Sequence, residues 1–197
     1  MFPVAEIFYS LQGEGWYAGV PAVFVRLAGC RNACSWCDAK ETWNAGAFRR
    51  LSAGDIAGRV SAYPCRTVIV TGGEPLLYPL DKLCAPLKEQ HCRLHLETSG
   101  TGAFSGTWDW VCLSPKRQQP PRQENYRHAG ELKVIIAAPD DFAWAEENAR
   151  QVAPECLRLL QPEWSRYSAV APLVVAYIRQ HPQWRLSLQT HKFLAIP

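Results

Sequence analysis

Gly29-Cys-Arg-Asn-Ala-Cys-Ser-Trp-Cys-Asp38 places Cys30, Cys34 and Cys37 within eight residues. Thiolates at this C-x3-C-x2-C spacing can turn into one pocket and bind a soft metal centre. A structural zinc is closed by four ligands, and an ordinary [4Fe–4S] cluster takes four cysteines. Three cysteines leave one iron of a cubane open to a small molecule. The residues alone also admit a zinc site, with Asp38, His91, His95 or Cys65 as fourth ligand, or three unrelated buried thiols.

The flanking sequence favours the open site. Ala22–Leu27 (Ala-Val-Phe-Val-Arg-Leu) has the β-branched and aromatic content of a strand and feeds straight into the cysteine loop. Arg26 interrupts its apolar run, and a charge in a buried strand needs a partner or a ligand. Thr67–Val70 is a second apolar run, followed by Thr71-Gly-Gly-Glu-Pro75. Glycines at a strand end let backbone approach a ligand closely, and Glu74 adds a carboxylate beside a turn fixed by Pro75.

The chain has 197 residues, 48% of them hydrophobic, with eight Trp and a formal net charge of +3. That length is most simply one domain with a real core. The composition excludes disorder, and the small charge gives no argument for nucleic acid or an anionic membrane. No apolar run approaches a membrane span. Met1–Gly15 lacks a signal-peptide pattern, and the close cysteines argue against a disulfide framework, so a reducing cytoplasm is expected. Cys65, Cys84, Cys92, Cys112 and Cys156 read as small core residues.

Strands are predicted over 3–9, Ala22–Leu27, Thr67–Thr71, Arg93–Glu97, Trp110–Leu113, Glu131–Ile136, Leu157–Gln161 and Arg185–Leu188. Helices are predicted from Ser52, as N-cap with Asp55 near the third position, to about Tyr63, from a capping Asp81 to Gln90, over Asp140–Gln151 and over Val170–Gln180. Alternating strands and helices imply right-handed β-α-β units in an α/β fold with a mainly parallel sheet. Polar motifs follow five strands, and ligands bind at the carboxyl ends of parallel strands, so the five can meet at one mouth. The connection from Leu113 to Glu131 is loop-rich and short for a full helix, which predicts a partial, reduced β/α barrel.

C-x3-C-x-aromatic-C followed by Gly-Gly-Glu-Pro resembles the radical S-adenosylmethionine (SAM) superfamily. Leu11-Gln-Gly-Glu-Gly15, Arg26, Cys37-Asp38, Glu97-Thr-Ser-Gly100, Ser114-Pro-Lys116, Leu160-Gln-Pro162 and Gln189-Thr-His-Lys192 narrow this to the 7-carboxy-7-deazaguanine synthases of queuosine biosynthesis, from about Pro3 to the C-terminus. The resemblance implies that Cys30, Cys34 and Cys37 hold a [4Fe–4S] cluster. It implies that Trp36, Cys37, Asp38, Gly73, Glu97, Ser114, Pro115, Lys116 and Gln161 line SAM. Leu11, Gln12, Gly13, Arg26, Thr71 and the terminal Pro197 would then face 6-carboxy-5,6,7,8-tetrahydropterin. In that family a SAM-derived radical takes hydrogen from C6 of the pterin, and the product leaves with loss of ammonia. No side chain beyond the cluster and SAM contacts is implied to be catalytic.

The resemblance further implies an electron donor such as flavodoxin, a homodimer and Mg²⁺. The family commonly has Thr after Cys-Asp as a magnesium ligand. Ala39 stands there, and a methyl group cannot ligate a hard cation. A water in place of the hydroxyl is the expected substitute; the alternatives are another oxygen, such as Asp38 or Thr42, or no metal. A glycyl-radical activating enzyme, or a zinc-binding structural module, remains the alternative function.

Overall fold

A computed structural model describes residues 1–197. The strands are β1 (Phe2–Leu11), β2 (Pro21–Leu27), β3 (Arg50–Leu51), β4 (Thr67–Gly72), β5 (Arg93–Thr98), β6 (Trp110–Leu113), β7 (Glu131–Ile136), β8 (Leu157–Pro162) and β9 (Trp184–Leu186). They form one open sheet in the order β3-β1-β2-β4-β5-β6-β7-β8-β9. From β2 through β4 to β9 all neighbours are parallel, while β1 runs antiparallel to both β2 and β3. The expected mainly parallel, unclosed sheet is therefore present.

The helices are α1 (Ala53–Ser61), α2 (Asp81–Glu89), α3 (Asp141–Ala149), α4 (Tyr167–Gln180) and α5 (Thr190–Leu194). Ser52 caps α1 as its sequence predicts: its hydroxyl accepts from Asp55 N, and Asp55 returns the bond to Ser52 N, satisfying two otherwise orphaned donors. Asp81 does not cap α2. It is the first helical residue, its N-cap is Leu80, and its carboxylate instead accepts from Gly106 N at 3.1 Å. No α-helix lies between β5 and β6, and only a 3-10 turn at Gln123–His128 lies between β6 and β7. The α5 helix and the two-residue β3 carry no clear periodic signal in the sequence.

Strand side chains alternate between two environments. Val23, Val25 and Leu27 of β2, Val68 and Val70 of β4, and Leu94 and Leu96 of β5 pack with Ile56, Val60, Leu83 and Leu87 of α1 and α2. Leu132, Val134 and Ile136 of β7 and Leu160 of β8 pack with Ala145, Ala149, Val170 and Val174 of α3 and α4. Trp184, just upstream of the predicted last strand, belongs to this second core. The intervening residues point to the opposite face. They include Arg26, Thr71, His95, Glu97, Glu131, Lys133 and Gln161, together with a small apolar cluster of Ala22, Phe24 and Ile69, so that face is mixed and charged where the helix-facing one is apolar.

The ends of β2 and β4 touch backbone to backbone. Gly73 N donates to Leu27 O and Glu74 N to Gly29 O, both at 2.8 Å. A Cβ on Gly73 would lie 2.2 Å from Gly29 O, and Gly72, at φ +120°, would place one 2.0 Å from Leu27 O. The two glycines are thus required by the chain's own backbone, Gly72 by the end of β2 and Gly73 by the cysteine loop. Gly73→Ala is expected to cost about 1–3 kcal/mol, because backbone leaves no soft atom to move. Urea unfolding measures this, and an unchanged midpoint would show that the loop has room.

Candidate active site

The polar strand ends open into a cavity of about 400 Å³. Cys30, Cys34 and Cys37 line it, together with Trp36, Asp38, Gly73, Glu97, Ser114, Lys116 and Gln161, and with Leu11, Gln12, Gly13, Arg26, Thr71 and Pro197. Of the sequence-predicted site residues only Pro115 is absent. It is buried behind the wall, between Ser114 and Lys116, which face the cavity.

The cysteine loop is fixed from behind. Glu74 is buried, and its carboxylate accepts from Leu76 N at 2.9 Å, from Ser99 N at 2.8 Å, and from the hydroxyls of Thr98 and Ser99. Ser99 Oγ in turn receives Asn32 Nδ2 at 2.8 Å. Asn32 Oδ1 is left buried without a partner, in a residue that lines the cavity between Cys30 and Cys34. Burial raises the Cys30 and Cys34 thiols above their ordinary range, with the Lys116 cation pulling the other way on both. Lys116 lies 5.0 Å from the Trp36 ring centroid and donates to Ser114 Oγ at 2.7 Å.

No zinc-type fourth ligand joins the three cysteines, and no group of three His, Cys, Asp or Glu side chains converges on a single-ion site. Asp38 Oδ2 accepts from Lys192 Nζ at 2.7 Å and Gln189 Nε2 at 3.1 Å. His95 packs on Tyr17, with centroids 4.6 Å apart, and Cys65 Sγ donates to Pro21 O. Three thiols and an orphaned acceptor facing one cavity fit a multi-atom cluster with a donor-bearing small molecule on its open side.

The opposite wall is an ionic floor. Lys133 Nζ on β7 donates to Glu14 Oε2 and stands 3.7 Å from Glu97 Oε2. Gln12 Nε2 donates to Glu97 Oε1 at 2.6 Å, and Gln189 Nε2 to Glu14 Oε1 at 2.7 Å. Burial opposes ionisation of Glu14, but the Lys133 ammonium and the bonds from Lys133, Gln189 and Gln161 hold its carboxyl down at about 2. Arg26 Nε pairs with Glu6 at 2.6 Å, and its guanidinium lies 5.5 Å from the Phe8 ring centroid. Arg26 thus makes a salt bridge and lines the cavity at the same time.

The C-terminal residues stitch these walls to one another. Thr190 N and Oγ1 both donate to Gly13 O, at 2.8 and 3.0 Å. The His191 ring fills the space a side chain at Gly13 would need, with Nδ1 2.1 Å from that Cβ position. Ser10 Oγ donates to Pro197 O at 2.9 Å, which holds the terminal residue at the cavity.

The chain matches the radical SAM superfamily over residues 25–107. It is 45% identical to the 7-carboxy-7-deazaguanine synthase of Flavobacterium psychrophilum, over all of this chain and 93% of that one. With the enzyme of the same name from Synechocystis it shares 47% identity, covering 99% of this chain and 93% of the relative. The chain belongs to the 7-carboxy-7-deazaguanine synthase family. The crystal structure of QueE from Escherichia coli superposes with a TM-score of 0.83 at 31% identity, covering 96% of this chain and 94% of that one. This is therefore a radical SAM enzyme of that family. No helix is long and apolar enough to cross a membrane.

The magnesium implied by the family finds no side-chain oxygen at Ala39. Thr42 Oγ1 donates to the Ala39 carbonyl at 2.7 Å inside the protein, and Asp38 Oδ2 is held by Lys192 and Gln189. Of the two protein substitutes for the missing hydroxyl, Thr42 is committed elsewhere and Asp38 has only Oδ1 left. Sequence reasoning also passed over Glu14, Asn32, Lys133, Gln189, His191 and Lys192, all of which line the cavity. Five of them sit inside quoted motifs, and Lys133 is a charge in an apolar strand, the same signal that marked Arg26.

Glu14 makes the floor sensitive to acid. Its carboxyl titrates lower folded than unfolded, so its contribution is complete above about pH 4.5 and lost as pH falls towards 2. Glu14→Gln leaves Lys133 without its closest counter-charge and is expected to cost about 3 kcal/mol at neutral pH. Denaturant titrations should show the gap to wild type closing as pH drops below that range. A gap independent of pH would contradict the ionic floor.

Proposed function

We propose that this chain is a 7-carboxy-7-deazaguanine synthase, which converts 6-carboxy-5,6,7,8-tetrahydropterin to 7-carboxy-7-deazaguanine and ammonia in queuosine biosynthesis. The observation that carries the reading is a single cavity with two walls. One wall bears Cys30, Cys34 and Cys37, and the other bears the Leu11–Glu14 turn, Arg26 and the C-terminal residues. A glycyl-radical activating enzyme acts on a protein and needs no such enclosed second wall.

In this reading Cys30, Cys34 and Cys37 hold a [4Fe–4S] cluster. Trp36, Asp38, Gly73, Ser114, Lys116 and Gln161 face SAM, Glu97 stands where SAM and the substrate meet, bonded to Gln12 on the substrate side, and Asn32 Oδ1 offers its unpaired acceptor beside them. Cluster and SAM together supply the one-electron chemistry, with electrons from a donor such as flavodoxin. The chain's own residues bind, orient and exclude water. Arg26 uses Nε for Glu6 and keeps its terminal nitrogens for the substrate carboxylate, a two-pronged match. Gln12 and Gly13 meet the pterin edge, with Leu11 and Thr71 beside them. Thr190, His191 and Pro197 close the wall behind the substrate. A homodimer in the cytoplasm belongs to the same proposal.

The test is anaerobic turnover of cluster-reconstituted protein with SAM, reductant and the carboxypterin. Appearance of the deazaguanine supports the reading; 5′-deoxyadenosine without that product sinks it. Arg26→Ala is expected to raise the substrate KM by at least about a hundredfold, since one side of a desolvated charged pair is removed, while SAM affinity stays close to wild type. Collapse of SAM affinity instead would mean that Arg26 serves the cofactor.

With no hydroxyl on Ala39 and Asp38 Oδ2 held by Lys192, turnover is expected to continue in chelator and to be stimulated only weakly by Mg²⁺. Ala39→Thr should strengthen the stimulation by restoring an oxygen donor. Wild-type turnover that vanishes in chelator and returns with Mg²⁺ would reveal another protein ligand.

A further inference from the structure

The β7 strand carries a buried cation that the cysteine chemistry does not require. Lys133 projects from the polar face of the sheet, and its side chain is only 4% exposed, yet it lines the cavity. A lone ammonium at such depth is strongly disfavoured. Burial opposes the charge, and the surrounding Cys112, Glu14, Glu97 and Glu131 side chains keep Lys133 protonated. Its partners come from two distant segments, Glu14 from the turn after β1 and Glu97 from the end of β5.

The acids outnumber the cation. Lys133 is the only positive group bonded to Glu14 or Glu97, because Arg26 pairs with Glu6, Lys192 with Asp38, and Lys116 lies on Trp36. Glu131 adjoins them, with burial raising its carboxyl towards the neutral form. Ionised carboxylates only accept hydrogen bonds, and each oxygen has room for more than one donor. A floor of fixed acceptors suits a flat ring with several N–H groups along one edge. The pterin of the proposed function, with its exocyclic amino group and ring N–H groups, is such a ligand.

Resting on that reading of the substrate, we propose that Lys133 is a specificity-determining positioning residue: its buried ammonium fixes Glu14 and Glu97 as paired acceptors for the N–H edge of the reduced pterin. Lys133 does not touch the reacting carbon and transfers no proton. It sets the form and the aim of the two carboxylates that do meet the ring. Without it, Glu14 keeps the cost of burial but loses its counter-charge, and takes up a proton in the ordinary working range. A protonated carboxyl presents a donor where the ring also presents one.

The groups that bear on Glu14 are Lys133 on β7, Gln161 on β8, Gln189 before α5, Asp38 in the cysteine loop, and Lys116 after β6. Of the two cations only Lys133 is bonded to Glu14, so its removal is the change that titration should report.

The experiment compares wild type, Lys133→Met, Lys133→Arg and the charge-balanced double variant Lys133→Met/Glu14→Gln. Steady-state kinetics with the carboxypterin are run from pH 5.5 to 8.5, with equilibrium binding of the carboxypterin to the cluster-loaded protein in the absence of reductant. Lys133→Met is expected to raise KM and the dissociation constant at least about tenfold at neutral pH. It should also add an acid limb to kcat/KM that wild type lacks, with kcat changed far less. Lys133→Arg should restore a flat acid side.

The double variant replaces a buried pair by neutral groups, which proteins tolerate. It should fold even if Lys133→Met does not, bind the pterin weakly, and show no new acid limb. Wild-type affinity in the double variant, or an unchanged pH profile in a folded Lys133→Met, overturns the proposal. Failure of wild type itself to make the deazaguanine would instead sink the substrate reading on which it rests.

Discussion

The carboxylate of Glu74 ties together the strand ends on which the site is built. It is buried at the end of β4, and its acceptor capacity is spent on Leu76, Thr98 and Ser99. Through Ser99 the same network reaches Asn32 inside the cysteine loop. Three thiols on a loop gain definite positions only if the loop has nowhere else to go. Here one side is held by the Gly73–Leu27 and Glu74–Gly29 backbone bonds, and the other by Ser99. The Gly-Gly-Glu-Pro motif therefore serves first as a weld between β2, β4 and β5, and its place at the cavity follows from that.

The sheet divides its labour by parity. One set of strand residues is apolar and packs under the helices, and the other carries the charged and polar residues of the cavity beside a small apolar cluster. A polar face inside a protein is costly unless every charge has a partner, and the pairs Arg26–Glu6, Lys133–Glu14 and Lys192–Asp38 meet that condition. Each pair joins separate segments of chain, so the charges that make the cavity receptive also hold its walls at fixed spacing. Gln189 does this most directly, giving its amide to Glu14 on one wall and to Asp38 on the other.

Most of the architecture was legible because its signals are local. Apolar runs bounded by polar strand ends mark β2, β4, β5 and β7, and the Ser52–Asp55 box marks α1. Asp81 misled because an acidic residue before a helix looks the same whether it caps that helix or, as here, holds a distant loop at Gly106. Gly72 and Gly73 carry a constraint that the sequence hides, because close approach to a ligand and close approach to Leu27 and Gly29 leave one mark in a sequence. The cysteines, Trp36, Lys116 and Arg26 were legible by motif. Lys133 was missed although it interrupts an apolar strand just as Arg26 does; no quoted motif contained it. Its partner Glu14 lies 119 residues away, and a pairing at that range follows from topology alone.

Topology also explains why an unclosed sheet can serve as an enclosed site. The edge strands are β3 and β9, and no ladder joins them. The connection from β1 to β2 crosses the interior instead. Gly15 N donates to Ser187 Oγ just after β9, Trp16 N to Glu131 Oε2 on β7, and Arg185 of β9 lies over the Trp16 ring with 4.5 Å to its centroid. Thr190 then returns from the β9 side to bond Gly13. A turn from one edge is thereby anchored to the other by side chains where a closed barrel would use strands. Strand closure would fill that gap with paired backbone and leave no donors or acceptors to spare. Closure by a polar turn keeps Gln12, Gly13 and Glu14 at the cavity, so the same few residues that complete the wall are available to read a ligand.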